Sequence, residues 1–316
     1  LSNIDNTIFI GYSKIEQYLN CPMAYNFKYN QRMYSADTSL ALELGSLLHA
    51  VLEAKGHMIK RGTIDYNTLD KLIKDGIIET NEKTREQLSG VEALKKKYWE
   101  TWYVPDSEGR TYDQKIETFH KVLRNEMNDS IWKPYAFEKP FSFVWDNRAI
   151  MVGFIDRLDF KMVDDKLQIR TIDYKTSKKV FGKEKLPTSL QFGIYALACL
   201  ADPEIQSLPE ESIYRFILLD DQQYALTKGW EKRLIKKLTQ IFDSIEERER
   251  TKKWEPKPTP LCHWCLFCRT NSDAHEYKHL CEYYSLWTPE NKTFEKNKEW
   301  NTLEIKEPAT TRKLIF

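Results

Sequence analysis

Residues 149–177 read AIMVGFIDRLDFKMVDDKLQIRTIDYKTS. Two apolar runs flank the polar turn VDD, the pattern of an antiparallel pair of strands. Each run carries an acid where a strand bound for an interior has little use for one: Asp156 in MVGFIDRL and Asp173 in IRTIDYK. A carboxylate in such a run is costly unless something compensates it. Period-two alternation sends Asp173 and Lys175 to one face, and Ile172 and Tyr174 to the other. Because the turn is short, the strands are expected to pair and the two aspartates to converge. A hard divalent cation, Mg2+ or Mn2+, is the natural compensation. A lysine beside such an ion suits phosphodiester cleavage, where it stabilises charge on the departing oxygen or orients a water. The plainer alternative makes Asp173 and Lys175 a surface pair and sets Asp156 and Asp159 beside a turn.

Upstream, FEKPFSFVW (137–145) supplies a third β-rich run and completes an antiparallel meander. Downstream, QFGIYALACLA returns to helical spacing with Ser189 as its cap. SIYRFILLD then forms a buried strand, and a charged helix spans about 228–250. SKIEQYLNCPMAYNFKY has helical spacing from Ser13 and is broken by Pro22 just after Cys21. A further helix over 39–60 carries LGSLLHAVLEA, in which His49 and Glu53 share a face. Between 66 and 132 the chain favours amphipathic helices. Trp99, Trp102 and Tyr103 there form either core or a stacking surface for unpaired bases. The stretch after Trp287 is polar with no clear period. This order of elements describes an α/β fold around one mixed sheet.

Lys and Arg number 48 against 47 Asp and Glu, for a net charge of +1. Overall charge therefore selects no partner, and any nucleic-acid footprint must be local. Lys178, Lys179, Lys183 and Lys185 follow the second aspartate strand and either hold phosphates or form a solvated loop. No apolar run is long enough to span a membrane. The opening LSNIDNTIFIGYS lacks a secretory layout, so an intracellular, cytoplasmic and reducing compartment is expected. No phosphate-binding loop of a helicase motor occurs in the chain; a partner could supply one.

Four of six cysteines cluster late: Cys262, Cys265, Cys268 and Cys281, with Cys21 near the start and Cys199 in an apolar helix. Cys262-x-x-Cys265 is a spacing at which both sulfurs reach one centre. Four thiolates suggest structural zinc or an iron–sulfur cluster. His263, His275 and His279 leave a mixed zinc site open.

GFIDRLD, then TIDYKTS, then QFGIY on the following helix resemble the PD-(D/E)XK nuclease superfamily, and its RecB-like exonuclease branch in particular. That branch has a histidine on an upstream helix, matched by His49. Its later patterns are Gly-x-x-Asp-x-x-Asp, matched from Gly153 through Asp156 to Asp159, then Asp-Tyr-Lys-Thr at Asp173 to Thr176, then Gln-x-x-x-Tyr at Gln191 and Tyr195. The resemblance implies a restriction-endonuclease-like mixed sheet flanked by helices. The nuclease domain would span 1–288, with a helical insertion at about 62–134, a cysteine element at 254–284 closing on Cys21, and a polar tail at 289–316. It also implies metal ligands at His49, Asp156 and Asp173, with the Tyr174 carbonyl as a fourth. Lys175 is then the catalytic lysine, and Gln191 and Tyr195 orient DNA or that lysine. Glu138 stands where relatives often carry a glutamate.

Relatives with clusters use one early and three late cysteines, which implies a [4Fe-4S] cluster on Cys21, Cys262, Cys265 and Cys281, with Cys268 as rival for the last place and Zn2+ as the alternative. The activity implied is a Mg2+- or Mn2+-dependent exonuclease in recombination, repair or end processing. Its partners would be DNA with a single-stranded portion or free end, and a helicase or recombination protein. A catalytically inactive DNA- or protein-binding module and a structure-specific endonuclease are the competing readings.

Overall fold

The structure, a computed structural model, describes residues 8–34, 49, 52–59, 61–62, 131–175, 180–182, 189–216, 222–224, 226–259, 261–262, 265–268, 277, 280–281, 283–285 and 294–296. The aromatic trio at Trp99, Trp102 and Tyr103, the lysines from Lys178 to Lys185, and His263, His275 and His279 lie outside the described residues. Elements follow in the order β1 (Ile8–Ile10), α1 (Tyr12–Asn20), α2 (Pro22–Tyr25), a π-helical turn (Asn26–Asn30), β2 (Lys133–Trp145), β3 (Ala149–Val163), β4 (Lys166–Lys175), α3 (Leu190–Ala201), β5 (Pro209–Phe216), β6 (Gln222–Tyr224), α4 (Trp230–Thr251), β7 (Tyr283–Ser285) and β8 (Phe294–Lys296). Of the helix expected over 39–60, residues 49 and 52–59 are described, and they are helical.

The chain divides into two compact units, one of Leu1–Tyr12 and Thr38–Asp243, the other of Ser13–Asp37 and Ser244–Phe316. The first unit holds a six-stranded mixed sheet in the order β1-β3-β4-β5-β6, with β2 also on β3. β2, β3 and β4 form the antiparallel meander read from the sequence. The β3–β4 turn places Asp164 and Asp165 at φ 49° and 58°. Two successive left-handed residues give the turn whose twist matches the strands it joins, and aspartate tolerates that region better than most residues. The crossover through α3 makes β5 parallel to β4. Ser189 caps α3 by accepting the N–H of Phe192. The face of α3 carrying Phe192, Tyr195, Ala198 and Cys199 packs with Ile155, Leu158, Ile169, Tyr214 and Phe216 into the main core.

β3 is where the sheet becomes specialised. β2 occupies one edge of it from Ala149 to Phe160. The other edge is shared: β1 pairs in parallel with Ala149–Met151, and β4 pairs antiparallel with Arg157–Val163. Between those pairings lies a fork, and Asp156 stands at its vertex. The strand alternation also slips at this level. Lys139 and Phe141 reach toward α3, through Asp202 and Tyr195, whereas Phe137 packs against Gly56 and His57 of the upstream helix. Residues of one parity should share a side. The break falls at Glu138, whose backbone is left-handed with φ 42°.

In the second unit, the helix read from Ser13 is interrupted at Cys21, whose extended φ of −161° starts α2 with Pro22 in its first turn. Ala24, Phe27, Met33 and Phe267 form a small core, with Cys21, Cys265 and Cys281 packed against it. Two short strands go beyond what was read from the sequence pattern. The opening segment contributes a strand, β1, because its short apolar IFI finds a free edge on β3. Within the polar stretch after Trp287, β8 pairs with β7 in a separate two-stranded sheet. Three-residue strands fall below the length at which periodicity is legible.

Candidate active site

Asp156 is the centre of the fork. Where β3 and β4 part beyond the Arg157–Ile172 pair, the backbone N–H of Tyr174 donates to Asp156 Oδ2 at 2.9 Å. A side-chain carboxylate here takes the place of a ladder carbonyl, which fixes both residues. Asp156 and Asp159 are interior to β3 and buried, so the reading that set them beside a turn is overturned. Asp159 serves a different purpose. Arg157, fully buried, grips it through Nε and Nη2 at 2.6 and 2.8 Å, and Arg170 joins through Nε at 2.9 Å.

His49 and Glu138 converge on Asp156. His49 Nδ1 lies 2.8 Å from Glu138 Oε1 and 3.7 Å from Asp156 Oδ2. One ligand atom from each of the three residues falls within 4.8 Å of the others. Asp173 is not a member of this trio, and its Oδ1 is engaged from α3. Gln191 Nε2 donates to Asp173 Oδ1 at 2.5 Å, and the Tyr195 hydroxyl donates to the same oxygen at 3.3 Å. Lys175 Nζ stands 2.5 Å from Oδ2. That ammonium approaches off the hydrogen-bonding direction, so buried Oδ2 has a positive neighbour but no directed donor. The face shared by Asp173 and Lys175 is thus observed, and Gln191 and Tyr195 come to it from α3. Sequence reasoning gave Glu138 no role; its position opposite Asp156, between the Phe137–Arg157 and Lys139–Ile155 pairs, was the available signal.

Electrostatics follow from this crowding. Burial, then the charge of Asp173, pushes the Asp156 carboxyl up to about 7, against the pull of His49 and the Tyr174 N–H. Burial opposes charge on His49, but the hydrogen bond to Glu138 and the charges of Asp156, Glu138 and Asp173 outweigh it and raise its pKa. Burial and the Asp173 charge hold the Tyr195 hydroxyl firmly protonated. Among the described residues in these contacts, three carboxylates meet Lys175 and His49, so this cluster is short of positive charge. Carboxylate oxygens with one imidazole make a donor set for a divalent cation. The undonated Asp173 Oδ2 and the trio around Asp156 fit one.

A family model described as the PD-(D/E)XK nuclease superfamily matches residues 10–270. The chain belongs to that superfamily. Among relatives, a subunit of an ATP-dependent helicase/deoxyribonuclease from Clostridium perfringens is 27% identical over 204 residues, covering 59% of this chain and 17% of the relative. Its namesakes in Clostridium tetani and Lachnoclostridium phytofermentans are 24% and 23% identical, covering 57% and 61% of this chain and 16% and 17% of themselves. The chain therefore spans less than a fifth of the length of these relatives. A solved structure assigned as an exonuclease, from Eubacterium rectale, aligns with TM-score 0.43 and 12% identity over 82% of this chain and 88% of that one. The central mixed sheet flanked by helices is the architecture expected of the superfamily. No helix among the described residues is long and apolar enough to cross a membrane.

Proposed function

We propose that this chain is a Mg2+- or Mn2+-dependent DNA nuclease acting on linear ends, working beside a helicase in recombination, repair or end processing. The observation that carries the reading is the convergence of His49, Glu138 and Asp156 beside the Asp173–Lys175 pair. DNA as substrate and a helicase as partner draw support from the names of the relatives.

His49, Asp156 and Asp173 would hold the cation, with the Tyr174 carbonyl and Glu138 as further oxygen donors. When bound, such an ion polarises the phosphate and makes an attacking water available near neutral pH. Lys175 keeps its ammonium within reach of the reacting phosphate by leaning on Asp173, and neutralises charge on the departing oxygen. Gln191 and Tyr195 hold Asp173 Oδ1 so that Oδ2 stays turned toward the site.

The cysteines of the second unit are proposed to hold a structural metal group. Backbone N–H groups of Lys257 and Thr259 lie 3.5 and 3.3 Å from the sulfurs of Cys21 and Cys262. Such bonds are common support for metal thiolates. Burial pushes the Cys265 thiol up to about 12, and Cys21 and Cys268 are among the groups that raise it further, as they do Cys262. Cys281, packed on the same small core as Cys21 and Cys265, is the fourth ligand, with buried Cys268 as its rival. A [4Fe-4S] cluster is the group that one early and three late cysteines imply, with zinc as the alternative. Anaerobically purified protein is expected to be brown. Cys262→Ser should bleach it and lower the melting temperature, whereas a colourless wild type removes the cluster.

The test of activity incubates purified protein with end-labelled linear and circular DNA and Mn2+, with and without EDTA. Linear DNA should be degraded, circles spared and EDTA inhibitory. Asp173→Ala and Lys175→Ala should each abolish cleavage. Cleavage of circles would replace the exonuclease by an endonuclease, and a wild type inactive in Mn2+ would overturn the nuclease.

A further inference from the structure

We propose that Tyr214 is a positioning residue of this site, fixing the amide of Gln191 in the one orientation that serves both Asp173 and Lys175; the proposal rests on the nuclease reading above.

Gln191 stands between a group that can only accept and one that can only donate. Its Nε2 is 2.5 Å from Asp173 Oδ1, and its Oε1 is 3.5 Å from Lys175 Nζ. A carboxylate has no proton to give and an ammonium no lone pair to offer. The amide therefore has one permitted orientation, NH2 toward Asp173 and oxygen toward Lys175. The two ends of a primary amide are nearly the same shape, so packing alone cannot select it.

Tyr214 supplies the selection. Its hydroxyl lies 3.4 Å from Gln191 Oε1 and 2.7 Å from Ser189 Oγ. Ser189 Oγ in turn accepts the N–H of Phe192 at the start of α3. Each hydroxyl has one proton. Tyr214 donates its proton to the amide oxygen, so it accepts from Ser189, whose own lone pair is used by Phe192. The result is a one-way chain of hydrogen bonds, Ser189 to Tyr214 to Gln191 to Asp173. It runs from the N-cap of α3 to the acid on β4.

Register explains why Tyr214 is available. In the parallel ladder of β4 and β5, Tyr214 is the partner of Asp173. The ring is buried and immobilised, 4.2 Å from Phe192 and 4.9 Å from Phe181 between centroids. Lys175 Nζ lies 5.4 Å from the ring centroid. An ammonium over an aromatic face is held there by the ring's quadrupole. One tyrosine thus steadies the amide by its hydroxyl and the lysine by its face.

The experiment compares Mn2+-dependent cleavage by wild type, Tyr214→Phe, Gln191→Ala and the double variant, with thermal melts of each. Tyr214→Phe keeps the ring and its packing. It should lower kcat about three- to tenfold, the worth of one hydrogen bond, with KM for DNA unchanged. In the Gln191→Ala background the same change should have no further effect, since Tyr214 acts through that amide. Full activity in Tyr214→Phe overturns the inference, and so does an equal kcat loss in both backgrounds. An inactive wild type overturns the nuclease reading instead, so the two failures are distinct.

Discussion

Glu138 lies across the β2–β3 ladder from Asp156, with its backbone left-handed at φ 42° and its carboxylate 2.8 Å from His49. An L-residue with a side chain is held in that region at a cost of about 1–2 kcal/mol. The strain turns β2 over, so that Phe137 packs on the upstream helix while Glu138 faces the imidazole. Glu138→Gly should melt higher than Glu138→Ala by about 1 kcal/mol equivalent, since glycine alone is at ease there. Both should bind Mn2+ more weakly than wild type. Calorimetric titration and thermal melts check the two halves; alanine more stable than glycine would contradict the strain, and unchanged Mn2+ binding the role.

Asp156 ties stability to pH. Its folded carboxyl titrates near 7, above its ordinary 3.8. The folded state therefore keeps a proton that the unfolded chain has released. The resulting stabilisation is complete below the unfolded pKa and is lost as pH rises through about 7, with a slope of at most about 1.4 kcal/mol per pH unit. In EDTA, wild type should lose melting temperature between about pH 4 and about pH 7 more steeply than Asp156→Asn. Parallel curves would contradict this.

Behind the site, Arg157 and Arg170 share Asp159, and all three are buried. Removing the acid takes the carboxylate away from two buried guanidinium groups, at a cost of about 3–5 kcal/mol. Asp159→Ala should thus be among the most destabilising single changes in the sheet by urea denaturation. A loss under about 1 kcal/mol would mean that water or another acid replaces it.

Gly56 separates two opposing effects. Alanine is the better helix former by about 1 kcal/mol. Its Cβ would, however, overlap the ring of Phe137. Overpacking of this kind costs about 1–3 kcal/mol. Gly56→Ala should therefore destabilise, and adding Phe137→Leu should restore part of the loss.

The meander, the α3 crossover and the pairing of Asp173 with Lys175 were legible because each rests on local periodicity and turn chemistry. Asp156 was legible as an acid in an apolar strand. Its partner Glu138 was marked only by the family resemblance and given no role, since FEKPF reads as plain alternation and nothing in it announces a left-handed residue. Tyr214 was hidden for a different reason: its hydroxyl meets Gln191 only through the β4–β5 register, a non-local fact. Asp159 shows the converse, a residue within a catalytic-looking motif whose charge is spent on two buried arginines.

The central claim is that the acids and histidine at the fork of β3 hold a divalent cation. Electron paramagnetic resonance of added Mn2+ reads this directly, because bound ion loses the sharp signal of the free ion. Wild type should remove Mn2+ from solution and Asp156→Ala should leave it free. A wild type that leaves the signal untouched, or an Asp156→Ala variant that binds as well, would contradict the account.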